Sequence, residues 1–221
     1  MAVSLFDVIG PVMIGPSSSH TAGAARLGNM ARRICGHEFQ KVEFLLHGSF
    51  ARTGKGHGTE KALLGGVLGF KASDERIRDS FALAEQQGLM FSFAEIDLGE
   101  QHPNSVKIIL HDGETICSII GSSIGGGKIL ISEIDGMMLE FSGEYPTIIT
   151  RHHDEPGVVA RVSAILSLYG INIAFLKVFR QYRAGEASMV IETDQQVDQE
   201  VLIQLEAING IDRVIFIDVE V

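Results

Sequence analysis

Leu27, Met30, Ala31 and Ile34 fall at i, i+3, i+4 and i+7, the spacing that gathers apolar side chains on one face of a helix. Lys41–His47 is a short apolar run and reads as a strand. A Gly-rich turn is expected at Gly54–Gly58, with Thr59 capping a helix through Glu60 to about Gly69. Asp74 opens another helix over Asp74–Gln87, closed by Gly88. Beyond Gly88 the period shortens. Phe91–Asp97, Ser105–His111, Thr115–Ile120, Lys128–Ile134 and Met137–Phe141 read as strands, with Asp112-Gly113 as a hairpin turn. From residue 146 the order is cleaner. Thr147–His152 is a strand, and Val158, Val159, Val162, Ile165, Leu166 and Tyr169 form a helical stripe ended by Gly170. Ile171–Phe175 and Ala187–Glu192 are strands, Asp198 caps a helix carrying Val201, Leu202, Leu205 and Ile208, and Val214–Val219 is the last strand. The pattern predicts an α+β domain over 1–143 and a ferredoxin-like βαββαβ unit over 146–221.

A length of 221 residues allows one or two domains with a real core, and 45% hydrophobic content excludes a disordered chain. The net charge of −10 is spread along both halves and favours neither nucleic acid nor an anionic membrane as partner. No apolar run reaches membrane-spanning length, and the start lacks the basic n-region of a signal peptide. Two cysteines, Cys35 and Cys117, stand far apart in no ligand-spaced pattern and read as core residues. This scarcity predicts a soluble chain in a reducing cytoplasm.

The chemistry concentrates in a few runs. Residues 15–23 read Gly-Pro-Ser-Ser-Ser-His-Thr-Ala-Gly, a loop feeding a helix N-terminus. Ser17, Ser18 and Ser19 are N-cap candidates, and free N–H groups with the positive end of the helix dipole suit a carboxylate or phosphate. His20 lies in the first turn, within reach of such an anion; an ordinary capped helix with a surface histidine has the same pattern. The run from His47 to Thr59 places His47, Ser49, Lys55, His57 and Thr59 among four glycines. It is not a Walker loop, because Gly56 follows the lysine. His102-Pro-Asn-Ser105 reads as a turn, and Ser122–Gly127 as a bend or an anion-facing loop. In the second unit, Glu155, Pro156, Gly157 and Val158 lead into a helix whose free N–H groups suit an amino-acid carboxylate, or form a simple turn. His152 and His153, adjacent on a strand, point to opposite faces and make no metal pair.

The runs Pro-Ser-Ser-Ser-His-Thr-Ala-Gly, His-Gly-Ser-Phe-Ala-Arg-Thr-Gly-Lys-Gly-His-Gly-Thr, His-Pro-Asn-Ser and Ile-Gly-Gly-Gly-Lys closely resemble the iron–sulfur-dependent L-serine dehydratases, and among them the beta chain of the two-chain form. Asp154-Glu-Pro-Gly before the split motif resembles ACT domains, and the first domain more distantly resembles the allosteric substrate-binding domain of some phosphoglycerate dehydrogenases. The resemblance implies conversion of L-serine to pyruvate and ammonia, a lyase reaction in which a [4Fe–4S] cluster held by an alpha chain binds substrate. On this reading the present chain binds no cofactor of its own. It implies His20 as the base that removes the α-proton, with Ser18, Ser19 and Thr21 holding the carboxylate or orienting the imidazole. His47, Ser49, Lys55, His57 and Thr59 would complete the pocket wall. The ACT unit would form a homodimer and bind a small amino acid through Glu155, Pro156, Gly157 and Val158. The alternative is a non-catalytic, amino-acid-sensing regulatory subunit.

Overall fold

The computed structural model describes residues 12–36, 38–113, 115–180 and 182–218, and all of their side chains except that of Lys55. The chain divides after Gly136 into two units, so Met137–Phe141 belongs to the second.

In the first unit, Ser17 is extended and its hydroxyl accepts the His20 N–H at 3.3 Å. This cap starts a π-helical turn, Ser18–Gly23, that runs directly into α1, Ala24–Cys35. Leu27, Met30, Ala31 and Ile34 are all buried, so the predicted stripe is the core face. Strand β1 (Lys41–Leu46) follows with a strict alternation that buries Val42, Phe44 and Leu46.

The expected turn at Gly54–Gly58 is instead the end of a helix, α2, over Gly48–His57. Interior glycines each cost about 0.5–1 kcal/mol against alanine, which argued against a helix here. Tertiary packing overrides that cost. Phe50 is fully buried, and Gly54 lies close beneath Thr59, where a Cβ would sit 3.3 Å from the threonine. Gly58, with φ of 74°, makes the bend that propensity placed earlier, and it rather than Thr59 precedes α3 (Thr59–Val67). Thr59 is therefore the first helical residue, with its hydroxyl buried and unpaired. Asp74 caps a 3₁₀ turn, Glu75–Asp79, that continues as α4 (Ser80–Gln86).

Strands β2 (Met90–Glu95), β3 (Ser105–Asp112), β4 (Thr115–Gly125) and β5 (Lys128–Ile134) complete the unit, in spatial order β2-β1-β3-β4-β5. The β1–β2 pair is parallel, and β1–β3, β3–β4 and β4–β5 are antiparallel. Strand β4 outruns its expected end at Ile120, because it pairs with β3 back to Ser105↔Ser122 and with β5 up to Gly125↔Lys128. Cys35, at the end of α1, and Cys117, on β4, are joined in a disulfide with Cα atoms 5.5 Å apart. Cys117 is a core residue as read, but neither is a free thiol, and the pairing withdraws the redox argument for a reducing compartment. Sequence gave no hint of this pairing across 82 positions.

The second unit holds β6 (Met137–Phe141), β7 (Thr147–His153), α5 (Val158–Leu168), β8 (Ile173–Arg180), β9 (Glu186–Thr193), α6 (Gln199–Glu206) and β10 (Ile211–Ile217). The order β10-β7-β9-β8 is antiparallel throughout and is the expected βαββαβ arrangement. Val158, Val162 and Leu166 of α5 meet Val201 and Leu205 of α6 over Ile148, Met189 and Ile191. His152 is buried while His153 is exposed, as strand alternation requires. Asp198 precedes α6, but its side chain makes no capping bond. The last expected strand residue, Val219, lies outside the described residues.

Helices α1 and α3 touch backbone to backbone. A Cβ on Gly28 would lie 2.1 Å from the Leu63 carbonyl oxygen, and one on Gly66 would lie 2.1 Å from that of Ala25. Gly28→Ala should therefore cost about 1–3 kcal/mol in urea denaturation, the usual penalty of an overpacked core. Gly56→Ala, where a Cβ meets nothing within 4 Å, should instead stabilise by about 0.5–1 kcal/mol. Equal effects at the two positions would show that the close crossing is not what the glycine serves.

Candidate functional site

His20 stands at the head of α1, where α2 passes. Its Nε2 lies 3.0 Å from the Thr53 hydroxyl and 3.4 Å from that of Ser49. Its Nδ1 lies 3.4 Å from the Ser17 hydroxyl. The ring rests edge-on against buried Phe50, with centroids 5.3 Å apart, and His57 sits beside it at 5.0 Å. Ser49, Thr53 and His57 are four residues apart on α2 and so share one face. The helix that was read as a turn is thus what brings the hydroxyls and the second imidazole to His20.

The other runs close around this cluster. The Ser49 N–H donates to the Pro103 carbonyl at 2.7 Å, and Gly48 has no room for a Cβ, which would lie 2.6 Å from that oxygen. Asn104 and Ser123 are joined through the Ser123 N–H and Asn104 carbonyl at 2.9 Å. Ser105 and Ser122, opposite each other on β3 and β4, share a 2.7 Å hydroxyl bond. Gly23 lies against Ser123, whose Oγ would be 1.9 Å from a glycine Cβ. Arg26, in the first turn of α1, donates to the Gly127 carbonyl at 3.1 Å. His102-Pro-Asn-Ser105 is a turn, as read, but one that links Ser49 to Ser123.

Not every candidate joins His20. Ser18 and Ser19 are half-buried on the π turn, while Thr21 is buried against Gly15 with its hydroxyl unpaired. The hydroxyls of Thr59 and Ser123 are likewise buried and unpaired. The His47 ring meets the residues that follow β2, where its Nδ1 accepts the Leu98 N–H at 3.1 Å beside Asp97. The side chain of Lys55 lies outside the described atoms. In the second unit, the Glu155 N–H is already donated to the His153 carbonyl, and Pro156 has none. The free donors at the head of α5 are therefore those of Gly157, with φ of 95°, and the first turn after it. Glu155 itself accepts Arg161 at 2.9 Å.

The family described as "Serine dehydratase beta chain" matches residues 4–84, and that described as "ACT domain" matches residues 147–210. A probable L-serine dehydratase beta chain from Bacillus subtilis is 44% identical, with 96% of each chain covered. The chain belongs to the L-serine dehydratase beta-chain family. The beta chain from Peptoniphilus asaccharolyticus is 45% identical, covering 95% of this chain and 94% of that one. A D-3-phosphoglycerate dehydrogenase from Methanocaldococcus jannaschii is 29% identical over 88% of this chain but only 37% of its own length. The second unit is an ACT domain and the fold is α+β.

Two residues whose hydroxyls lie against His20, Thr53 and Ser17, were not among the candidate site residues read from the sequence. Thr53 was legible only once α2 was seen as a helix, because the spacing from Ser49 to His57 has meaning only at helical period. An iron–sulfur cluster does not fit the residues present. The only two cysteines are bonded to each other, and among the described residues no group of three or more His, Cys, Asp or Glu side chains is placed to hold a metal.

Burial lowers the pKa of His20 below the usual imidazole value, the neighbouring His57 lowers it further, and the Ser49 carbonyl raises it in part. The neutral ring therefore persists to lower pH than in a free histidine. Titration followed by NMR should place His20 below about 6.5. His57→Gln should move it upward, because it removes the neighbouring imidazole whose electrostatic effect lowers it. A His20 titration unchanged by His57→Gln would contradict this coupling.

Proposed function

We propose that this beta chain acts with an alpha chain in deaminating L-serine to pyruvate and ammonia, and that it contributes His20 to the shared site as the base that removes the α-proton. The observation that carries this reading is a half-buried imidazole biased towards its neutral form, at the head of a helix, with hydroxyls on both ring nitrogens. A general base must be unprotonated at working pH and stand within hydrogen-bond reach of its proton. The half-buried Ser18 and Ser19 lie on the same turn, where the substrate carboxylate would meet the positive end of the helix. Removal of the α-proton and loss of the β-hydroxyl as water leave an enamine, which tautomerises and hydrolyses to pyruvate and ammonia. The [4Fe–4S] cluster of the assembled enzyme would be ligated by the alpha chain and would bind the substrate carboxylate and hydroxyl. The proposed location is cytoplasmic.

With purified alpha chain, His20→Ala should lower kcat by about 10²–10⁴-fold, the usual contribution of a positioned base. The KM for serine should change far less. Unchanged kcat would remove His20 as the base and leave the non-catalytic regulatory reading.

The ACT unit would dimerise and take a small amino acid, with serine the first candidate, its carboxylate on the N–H groups of Gly157 and the first turn of α5. Gly157→Leu sets a side chain at φ of 95° and against Arg161. In calorimetry of the whole chain it should abolish effector binding while leaving turnover without effector intact. Binding as in the wild type would show that the loop is not the effector site.

A further inference from the structure

One threonine contacts both imidazoles. The Thr53 hydroxyl carries a single proton, and the Ser49 backbone carbonyl, 2.8 Å away, can only accept it. The Thr53 oxygen is then left with lone pairs towards His20 Nε2 at 3.0 Å. With the Thr53 proton on that carbonyl, the contact is a hydrogen bond only if Nε2 holds the ring proton, since two facing lone pairs would repel. Nδ1 of the neutral ring is then bare. The Ser17 hydroxyl agrees, because its lone pair takes the His20 N–H and its proton is free to point at Nδ1, 3.4 Å away. The Thr53 backbone carbonyl makes the opposite choice for His57, whose Nδ1 lies 3.0 Å away and must donate to it.

We infer that Thr53 is a positioning residue that holds His20 in its Nε2–H form, so that Nδ1, on the side of Ser17 and the serine-rich turn, is the atom that accepts the substrate's α-proton. The inference rests on the proposed role of His20 and adds the atom, the direction of approach and the residue that enforces them. The α-carbon would approach from the turn that carries Ser18 and Ser19, not from α2, whose hydroxyls occupy the Nε2 side. The proton passes from the α-carbon to Nδ1 and the C–H electron pair stays on carbon. The imidazolium then donates Nε2–H to Thr53, whose oxygen still accepts, so no hydroxyl on α2 has to turn during the transfer; the Ser17 hydroxyl, 3.4 Å from Nδ1, turns its proton away from that lone pair as the substrate approaches.

The tautomer is read directly on the isolated full chain. ¹⁵N-labelled protein, at a pH above the titration of His20, gives a long-range proton–nitrogen pattern that distinguishes protonated from bare ring nitrogens, with His20 assigned by its loss in His20→Gln. The expected wild-type pattern is protonated Nε2 and bare Nδ1. Thr53→Val keeps the branched shape but removes the acceptor and should give mixed tautomers; Thr53→Ser should restore the single form. In the assembled enzyme, Thr53→Val should lower kcat by about 10–100-fold, the range expected from losing a hydrogen bond to a charged group, with KM little changed. Thr53→Ser should recover most of that loss. A wild-type ring protonated at Nδ1, or a Thr53→Val ring that keeps the single Nε2–H form, overturns the inference. If the tautomers behave as expected but His20→Ala retains full turnover, the base assignment fails while the tautomer control by Thr53 stands.

Discussion

The contact between the backbones of α1 and α3 at Gly28 and Gly66 is the constraint from which the first unit is built. With no side chain between them, α1 is pressed between α3 and the sheet, where Leu27 lies over the bare Gly121 of β4. Ser123, two residues further along β4, takes the space left by Gly23. The head of α1 is thus fixed against the strand by small residues on either side of each contact. His20, four residues before the helix proper, inherits that fixed position. Interiors packed at crystal density do not let such a helix slide, so ring placement at its head is a consequence of the core.

The second anchoring element, α2, is held by different means. Phe50 is driven inward by burial, and the Ser49 N–H reaches the carbonyl of Pro103 on the segment before β3. Asn104 and Ser105 then connect that segment to Ser123 and Ser122. The four runs singled out in the first domain therefore meet as one chain of contacts, from Ser49 through Pro103 and Asn104 to Ser123 and back to Gly23. Loops carry such groups well because strands and helices place their ends.

The order of elements in the second unit was legible, because its apolar periods are clean and Gly157, Gly170 and Gly210 punctuate them with positive φ, although the strand expected over Ile171–Phe175 runs from Ile173 to Arg180 and the last strand begins at Ile211. The capped helix start at Ser17 was legible too, because capping is local chemistry. Three features were not. Helix α2 was hidden by its glycines, whose propensity cost is repaid by Phe50 and by close packing at Gly54, neither of which a local pattern records. The Cys35–Cys117 pair joins a helix end to a strand across 82 positions, and no spacing rule bridges that. The link between His102–Ser105 and Ser122–Ser123 depends on the β3–β4 register, which brings Ser105 opposite Ser122. Short-range signals survive in sequence; pairings set by topology do not.

These long-range features bear most directly on the chemistry. An imidazole alone at a helix head would be a poor discriminator between its two nitrogens, since the dipole acts on the ring as a whole. Hydroxyls distinguish them, because a hydroxyl has one proton and its direction can be dictated by a third group. Here the third group is the Ser49 carbonyl, and it is available only because residues 48–57 are helical and place it four positions before Thr53. Burial then adds the remaining requirement by disfavouring the imidazolium, and the His57 ring adds to it at 5.0 Å. The lone pair needed by a base, its direction and its persistence thus come from three separate causes: a backbone carbonyl, the turn at Ser17, and the desolvation of a ring lodged against Phe50. The first and the third depend on α2 being a helix, so the glycine-rich run that looked least structured shapes the surroundings of the histidine at the head of α1.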